Sequence, residues 1–330
     1  MTMPPLDPAV LTALVRDAGA APSMHNAQPW RFHYRSDTGT LRLRADLDRA
    51  MPTTDPDHRA LHIGCGAALF NLRVAAAHAG RRSRVRLLPD DSDPLLLATI
   101  ELGDPLPPEG TDMIARLHPA IRQRHTSRRP FTDEDIPAAL RDALEDAARA
   151  EEARLLFPEQ WHSDVLRDLV RDAEGRDGLE PDRLRDVERW TRLGDEADRA
   201  TEGVPEYAFG PRLREGGAPV RDFAGRRPVA DRGAAAFERD PHLALLGTAE
   251  DGPSDWLHAG QAMERVLLVA TLDGLATSLT SHPLESPDLR GLARDPLSSM
   301  GHVQMVLRLG YGPAGPATPR RAVRDILSIA

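Results

Sequence analysis

The sequence predicts an α+β fold laid out as two related halves on one chain. Strand-like runs alternate with amphipathic helix patterns through most of its 330 residues. Two apolar helical segments, each opened and closed by glycine, then recur with the same separation between their glycines. They are GAALFNLRVAAAHAG, from Gly66 to Gly80, and GQAMERVLLVATLDG, from Gly260 to Gly274. Each is followed by a strand-like run ending in Leu-Gly, at Leu102-Gly103 and Leu309-Gly310. Two Ala/Leu-rich helices can resemble each other by chance; a diverged internal duplication is the sharper reading.

Residues 6–20 carry helical spacing at Leu11, Leu14, Val15 and Ala18. Trp30–Arg35 and Leu41–Ala45 read as strands around the turn Ser36-Asp37-Thr38-Gly39. Asp55-Pro56-Asp57 can cap a helix from about His58 to His78 that stops at Gly80. Val85–Leu88 and Leu95–Leu102 read as strands, and residues 104–110 as a Pro-rich loop. A second set follows, with helices over Met113–Arg122, Ala138–Arg149, His162–Ala173 and Leu184–Leu193 and a short strand at Ala153–Phe157. Residues 200–250 read as irregular, rich in Gly, Pro and Arg. Asp255 can cap a helix from Trp256 to Leu272, before strands at Leu275–Thr280 and Val303–Leu309.

Hydrophobic residues make up 41% of the chain, enough for a sizeable core at this length, but aromatics are only 4%, so that core is Leu, Val and Ala. All of the basic residues are Arg. A formal charge of −9 argues against broad nucleic-acid affinity. The single cysteine, Cys65, excludes an internal disulfide framework and a Cys-based zinc cluster. The start MTMPPLDPAV has neither a basic nor an apolar signal region, and the run Val266–Leu272 is too short to span a bilayer. These features predict a cytoplasmic protein with no membrane or nucleic-acid partner.

One polar stretch stands out, Ala21-Pro22-Ser23-Met24-His25-Asn26-Ala27-Gln28-Pro29-Trp30. Its two prolines fix φ and disfavour helix in the residue before each. Ser23, His25, Asn26 and Gln28 then place a hydroxyl, an imidazole and two amides on a stiff backbone. Amides both donate and accept, which suits a ligand with alternating donors and acceptors. Local satisfaction of a helix end and turn is the plainer reading.

The stretch resembles the PSxxNxQPW motif of the nitroreductase superfamily. The fuller APSMHNAQPWRF is similar to the Acg branch, in which two nitroreductase-like halves share one chain. The resemblance implies a nitroreductase-like pseudo-dimer of two antiparallel-rich sheets flanked by helices, packed through the two Gly-bounded helices. It places one half over residues 1–110 and the other over 111–330. It also implies bound FMN contacted by both halves. Only the first half carries PSMHNAQPW, with Leu155-Leu156-Phe157-Pro158-Glu159-Gln160-Trp161 where a second copy is expected. Only the second carries Arg124-His125-Thr126-Ser127-Arg128-Arg129, since too little chain precedes residue 6 to hold a counterpart. One complete site is therefore expected.

The segment Arg124, His125, Thr126, Ser127, Arg128 resembles the family's R-x-S-x-R phosphate motif, with Thr126 in place of Ser; two guanidinium groups and two hydroxyls suit a phosphate dianion. A solvated Arg-rich helix end is the alternative. The resemblance brings Arg320 or Arg321 onto the same phosphate. It brings Thr280, Ser281 and His282 to the flavin edge, where His282-Pro283 departs from the usual Glu-Gly or Gly-Gly. Pro22, Ser23, Met24, His25, Asn26 and Gln28 approach from the other half. No protein residue is assigned a catalytic proton, because flavin N5 carries the chemistry.

Residues 177–250 have no counterpart in the first half and include Trp190, Tyr207, Phe209, Phe223 and Phe237. They are expected to form a lid over the flavin, or else a surface excursion. Two functions follow. One is an NAD(P)H-dependent oxidoreductase reducing nitroaromatics, quinones or similar small acceptors in a ping-pong cycle. The other is an FMN store with a lid-covered flavin and little reductase activity. A fused pair needs no partner subunit, and a further homodimer is equally compatible with the sequence. His58 and His62 form an HxxxH pair without the Glu of a zinc protease, and Gly64-Cys65-Gly66 lacks the third glycine of a dinucleotide fingerprint; close helix packing explains the glycines better.

Overall fold

A computed structural model describes residues 6–105, 113–225 and 227–330. The chain opens with α1 (Pro8–Ala18), β1 (Trp30–Arg35), β2 (Thr40–Ala45), α2 (Arg59–His78), β3 (Arg81–Leu87) and β4 (Leu96–Pro105). Strand β4 runs through Pro105, two residues into the expected loop. The rest of that loop and the boundary at residue 110 lie outside the described residues. The expected helix over Met113–Arg122 is a 3₁₀ turn followed by α3 (His118–Gln123).

The second set is α4 (Ala138–Arg149), β5 (Arg154–Leu156), α5 (Gln160–Asp177), α6 (Pro181–Arg189), β6 (Thr191–Arg192), α7 (Asp195–Arg199), β7 (Val204–Pro205), β8 (Arg212–Glu215), β9 (Ala234–Ala236) and β10 (His242–Thr248). It ends with α8 (Pro253–Leu272), β11 (Ala276–Thr280), β12 (His302–Gly310), α9 (Pro287–Leu292) between those last two strands, α10 (Val323–Ile326) and β13 (Leu327–Ile329).

Two sheets share one plan. The first has the order β13-β1-β2-β4-β3 and the second β11-β12-β10-β5. Read from β5, the second repeats β1-β2-β4-β3, and α8 stands to its sheet as α2 does to the first. The terminal strand β13 pairs in parallel with β1, Phe32 opposite Leu327, so the chain's end completes the first sheet. Strand β10 corrects the expected irregular region of residues 200–250 and the inserted segment 177–250. His242–Thr248 is an apolar run, almost wholly buried, paired with both β12 and β5. The insertion therefore lies between β5 and β10, where the first half has only a tight turn between β1 and β2. The same comparison places the position equivalent to PSMHNAQPW at residues 150–153, ahead of β5.

Helix α2 is capped as its sequence implies: Asp55 accepts from the backbone N–H groups of Ala60 and Leu61, both at 2.9 Å. It is apolar enough and long enough to cross a membrane, but 89% of its most apolar stretch is buried in protein. Its partner is α8, and the two cross at the glycines that the repeat aligns. A Cβ on Gly260 would sit 2.1 Å from the Ile63 carbonyl oxygen and 2.8 Å from the Gly66 Cα. A Cβ on Gly66 would sit 2.4 Å from the Leu257 carbonyl oxygen. Both obstacles are backbone, which has no rotamer with which to yield.

Gly260→Ala should destabilise the protein by about 2–3 kcal/mol, the scale of an overpacked core, read as a lower urea midpoint. Gly175→Ala, at a helical glycine with nothing within 4 Å of the added Cβ, should raise stability by about 0.5–1 kcal/mol.

Candidate functional site

The crossing of α2 and α8 leaves a cavity of about 100 Å³ between the halves, walled by the first turns of α2, the middle of α8, β11, β12 and the insertion. Pro22, Met24, Ile63, Met263, Leu279 and Met305 supply apolar walls. Of the residues expected at the site, Pro22, Ser23, Met24, His25, Asn26, Arg124, His125, Thr126, Arg128, Ser281, His282 and Arg320 all line it.

Four do not. Ser127 is buried behind the wall, donating its hydroxyl to the Pro313 carbonyl and its N–H to the Thr277 carbonyl. Thr280 donates to the Pro219 carbonyl. Arg321 turns away to Asp46, 3.4 Å away. Gln28 is spent on the scaffold: its amide donates to the Thr201 carbonyl at 2.9 Å and accepts from the Arg321 backbone N–H at 2.9 Å. Asn26 touches the cavity but is similarly engaged, donating to the Gly203 and Pro319 carbonyls and accepting from Arg320 at 2.9 Å. The two motif amides thus clasp the insertion and the C-terminal segment to the first half. Their backbone is strained to do so, with φ of 47° at His25, 56° at Asn26 and 55° at Gln28. Non-glycine residues seldom adopt this region, and the surrounding contacts must hold them there.

The cationic groups separate into two clusters. At one end Arg124 and Arg320 lie side by side with His125, Thr126 and Thr318. Arg124 is loosely paired, its Nε 3.5 Å from the buried carboxylate of Glu264. Arg320 bonds Asn26, Thr318 and the Ala20 carbonyl, none of them an acid. Burial and the neighbouring Arg124 push the Arg320 guanidinium down to about 9, and burial pushes the Glu264 carboxyl up. The Nε atoms of both arginines have no hydrogen-bond partner among the described residues.

Arg128 was expected beside Arg124 but belongs to the second cluster, under the insertion. Its guanidinium donates to the Ala208 carbonyl at 3.0 Å and stacks 4.8 Å from the Phe223 ring. Simple alternation along an extended segment would put 124 and 128 on one face; instead Arg128 reaches Ala208 and Phe223 while Arg124 reaches Glu264 and the Ala20 carbonyl. Beside it, Arg221 of the insertion donates to His25 Nε2 at 2.7 Å and pairs with Glu285 at 2.7 Å and Asp177 at 3.3 Å. Phe223 meets the His25 ring edge-on, centroids 5.3 Å apart.

Phe223, one of the insertion aromatics expected over the flavin, lines the cavity, whereas sequence reasoning missed Arg59 and Arg221. Arg59, at the start of α2, bonds the Gln304 and Leu284 carbonyls with no acid in hydrogen-bond reach among the described residues, and burial pushes it down to about 10. Helical spacing from the capped start of α2 puts Arg59 and Ile63 on one face, the available signal. Nothing local marked Arg221.

A cavity lined by apolar side chains and buried cations, with both halves in its walls, has the donor chemistry for an anionic ligand. No family model matches the chain. Its relatives are informative. It is 34% identical over 326 residues to "Putative NAD(P)H nitroreductase Rv3131" of Mycobacterium tuberculosis (strain ATCC 25618 / H37Rv), covering 96% of this chain and 90% of that protein. It is 29% identical over 333 residues to "Putative NAD(P)H nitroreductase acg" of the same organism, covering 97% and 96%. The crystal structure of a "putative nitroreductase" from Anabaena variabilis ATCC 29413 superposes with a TM-score of 0.47 at 12% identity, over 92% of this chain and 88% of that one. The chain belongs to the nitroreductase superfamily, in the group that includes Acg.

His25 and His282 are held neutral in the fold, by burial first and then by Arg221 beside both; Arg128 adds to this at His25, and His25 at His282. Their folded values lie well below 6.5, so below that pH the unfolded chain takes up protons that the native state refuses. The stability they contribute is full above about pH 6.5 and is lost as pH falls. Moving from pH 7.5 to 5.5 should lower unfolding free energy by about 1 kcal/mol for each. Urea melts at the two pH values should show this, and His282→Gln should remove one histidine's share.

Proposed function

We propose that this chain is an FMN-binding oxidoreductase of the NAD(P)H nitroreductase kind, a pseudo-dimer whose halves, about 1–110 and 111–330, frame one cofactor site. The observation that carries the reading is the pair of buried arginines, Arg124 and Arg320, lining one end of the cavity with unpartnered Nε atoms. Two such cations sharing one carboxylate, Glu264, are costly to bury unless a second anion joins them. A phosphate dianion fits that donor set, with Thr126 and Thr318 as hydroxyl donors. The apolar walls from Met24, Ile63, Met263 and Met305 suit a flat aromatic ring.

Bound FMN supplies hydride and electron transfer between a nicotinamide donor and a small acceptor such as a nitroaromatic or quinone. The chain's own part is binding, orientation and water exclusion. Arg124, Thr126, Thr318 and Arg320 hold the phosphate, while Ser23, His25, Ser281 and His282 stand on the remaining walls. Val204, Val220 and Phe223 close the cavity from the insertion, keeping bulk water from the ring. The setting expected for such a protein is the cytoplasm.

One observation favours a second reading, an FMN store. The insertion is fastened to the first half by Asn26, Gln28 and Arg221 and by Asp186, which accepts from the Thr54 N–H and hydroxyl. A nicotinamide has to pass this cover. An anaerobic absorbance spectrum of FMN-loaded protein separates the two. Bleaching of the flavin band by NADPH or NADH supports the oxidoreductase, and a band bleached by dithionite alone supports the store. Under either reading Arg320→Ala should weaken FMN binding by about 1.5–3 kcal/mol, the scale of a charged hydrogen bond, measured by fluorescence titration. Unchanged affinity would remove Arg320 from the site.

A further inference from the structure

The insertion does more than cover the cavity: its Arg221 fixes the chemistry of His25. A guanidinium only donates hydrogen bonds. Arg221 lies 2.7 Å from His25 Nε2, so that nitrogen must be the acceptor and carry no proton. The imidazole is buried and neutral, with Arg221 and Arg128 beside it opposing any second proton. The one proton of the ring therefore sits on Nδ1. That nitrogen is buried and has no hydrogen-bond partner among the described residues, although His25 lines the cavity. An unanswered N–H in a buried cavity is a donor awaiting an acceptor.

We propose that closure of the insertion makes His25 a positioning donor: Arg221 occupies Nε2, and the Nδ1–H takes a carbonyl-type oxygen of the ligand in the cavity. This rests on the reading of the cavity as a flavin site. The oxygen belongs either to the pyrimidine ring of FMN or to a quinone-type acceptor held under the insertion. Arg221 is kept in place from its far side by Glu285, Asp177 and, at longer range, Glu174. His282 and Arg128 are the remaining charged or titratable groups that face His25. A donor assembled in this way exists only while the insertion is closed, so ligand recognition and closure are linked.

Nitrogen NMR of the full chain labelled with ¹⁵N-histidine tests this. The proposal expects His25 to carry its proton on Nδ1 at pH 7 and to stay neutral at pH 5.5. Arg221→Met should release Nε2 to carry the proton and raise the titration midpoint, with burial and Arg128 still holding it below the ordinary value, whereas Arg221→Lys, which keeps a cationic donor, should retain the Nδ1–H form. FMN is added next, then menadione as a quinone probe. A downfield move of the Nδ1 proton on FMN assigns the oxygen to the flavin, and a move only after menadione assigns it to the acceptor. A proton found on Nε2 in the wild type, or an Nδ1 proton unmoved by both additions, overturns the proposal. FMN uptake is read separately by absorbance, so failure of the flavin reading is distinguishable from failure of the His25 assignment.

Discussion

The close approach of α2 and α8 at Gly66 and Gly260 is the contact on which the rest depends. With no side chain at either position, each helix sets its backbone against the other's, and a methyl group at Gly260 would meet the Ile63 carbonyl at 2.1 Å. These two residues occupy the same place in the internal repeat, so the crossing lies on the approximate twofold that relates the halves. Its depth sets how near the first turn of α2 comes to β11 and β12. Arg59, Ile63 and Gly64 on one side and Ser278, Leu279 and Met305 on the other become walls of a single cavity. Gly64 extends the effect by leaving room for Ser23, whose Cβ would lie 3.2 Å from an added methyl.

Departure from twofold symmetry gives the site its character. The first half has a tight turn between β1 and β2; the second has the whole insertion between β5 and β10. That insertion returns across the boundary to the 23–28 turn, where Asn26 and Gln28 bind its backbone. The C-terminal segment reaches the same turn from the other direction, through Pro319, Arg320 and Arg321, before β13 joins the first sheet. Three positive-φ residues in this turn are held by the chain segments that converge on it. Strain of this kind survives where contacts over-determine the backbone, and here those contacts are also the cavity wall. The two positive clusters follow from the same asymmetry. Arg124 and Arg320 come from the second half's own elements, while Arg221 arrives with the insertion.

Much of this was legible in the sequence because it is local. The glycine spacing of the two helices, the Asp55 cap and the Pro-flanked polar turn each act within a few residues, and each appears where the pattern puts it. Most of the residues expected at the site face one cavity for a related reason, since the turn and the 124–128 segment are short and stiff. What the sequence did not disclose depends on distant partners. Asn26 and Gln28 have the chemistry of ligand groups, and only the path of residues 201–203 and 319–321 turns them into clasps. Arg128 could not be separated from Arg124 without knowing that Phe223 lies over it. Strand β10 was hidden in Gly- and Pro-rich surroundings, where a seven-residue apolar run gives no period of its own. Arg221 is one arginine among many, and only its contacts with His25 and Glu285 set it apart.

Duplication followed by complementary loss should leave one complete FMN site in each chain. The number of FMN molecules bound per chain tests it most directly, measured by titrating flavin into the purified protein and counting bound flavin by absorbance. A single cavity shared by the two halves should give a stoichiometry of one. Two per chain would mean that both symmetry-related sites are intact, and none would mean that the buried arginines of the cavity serve some other anion.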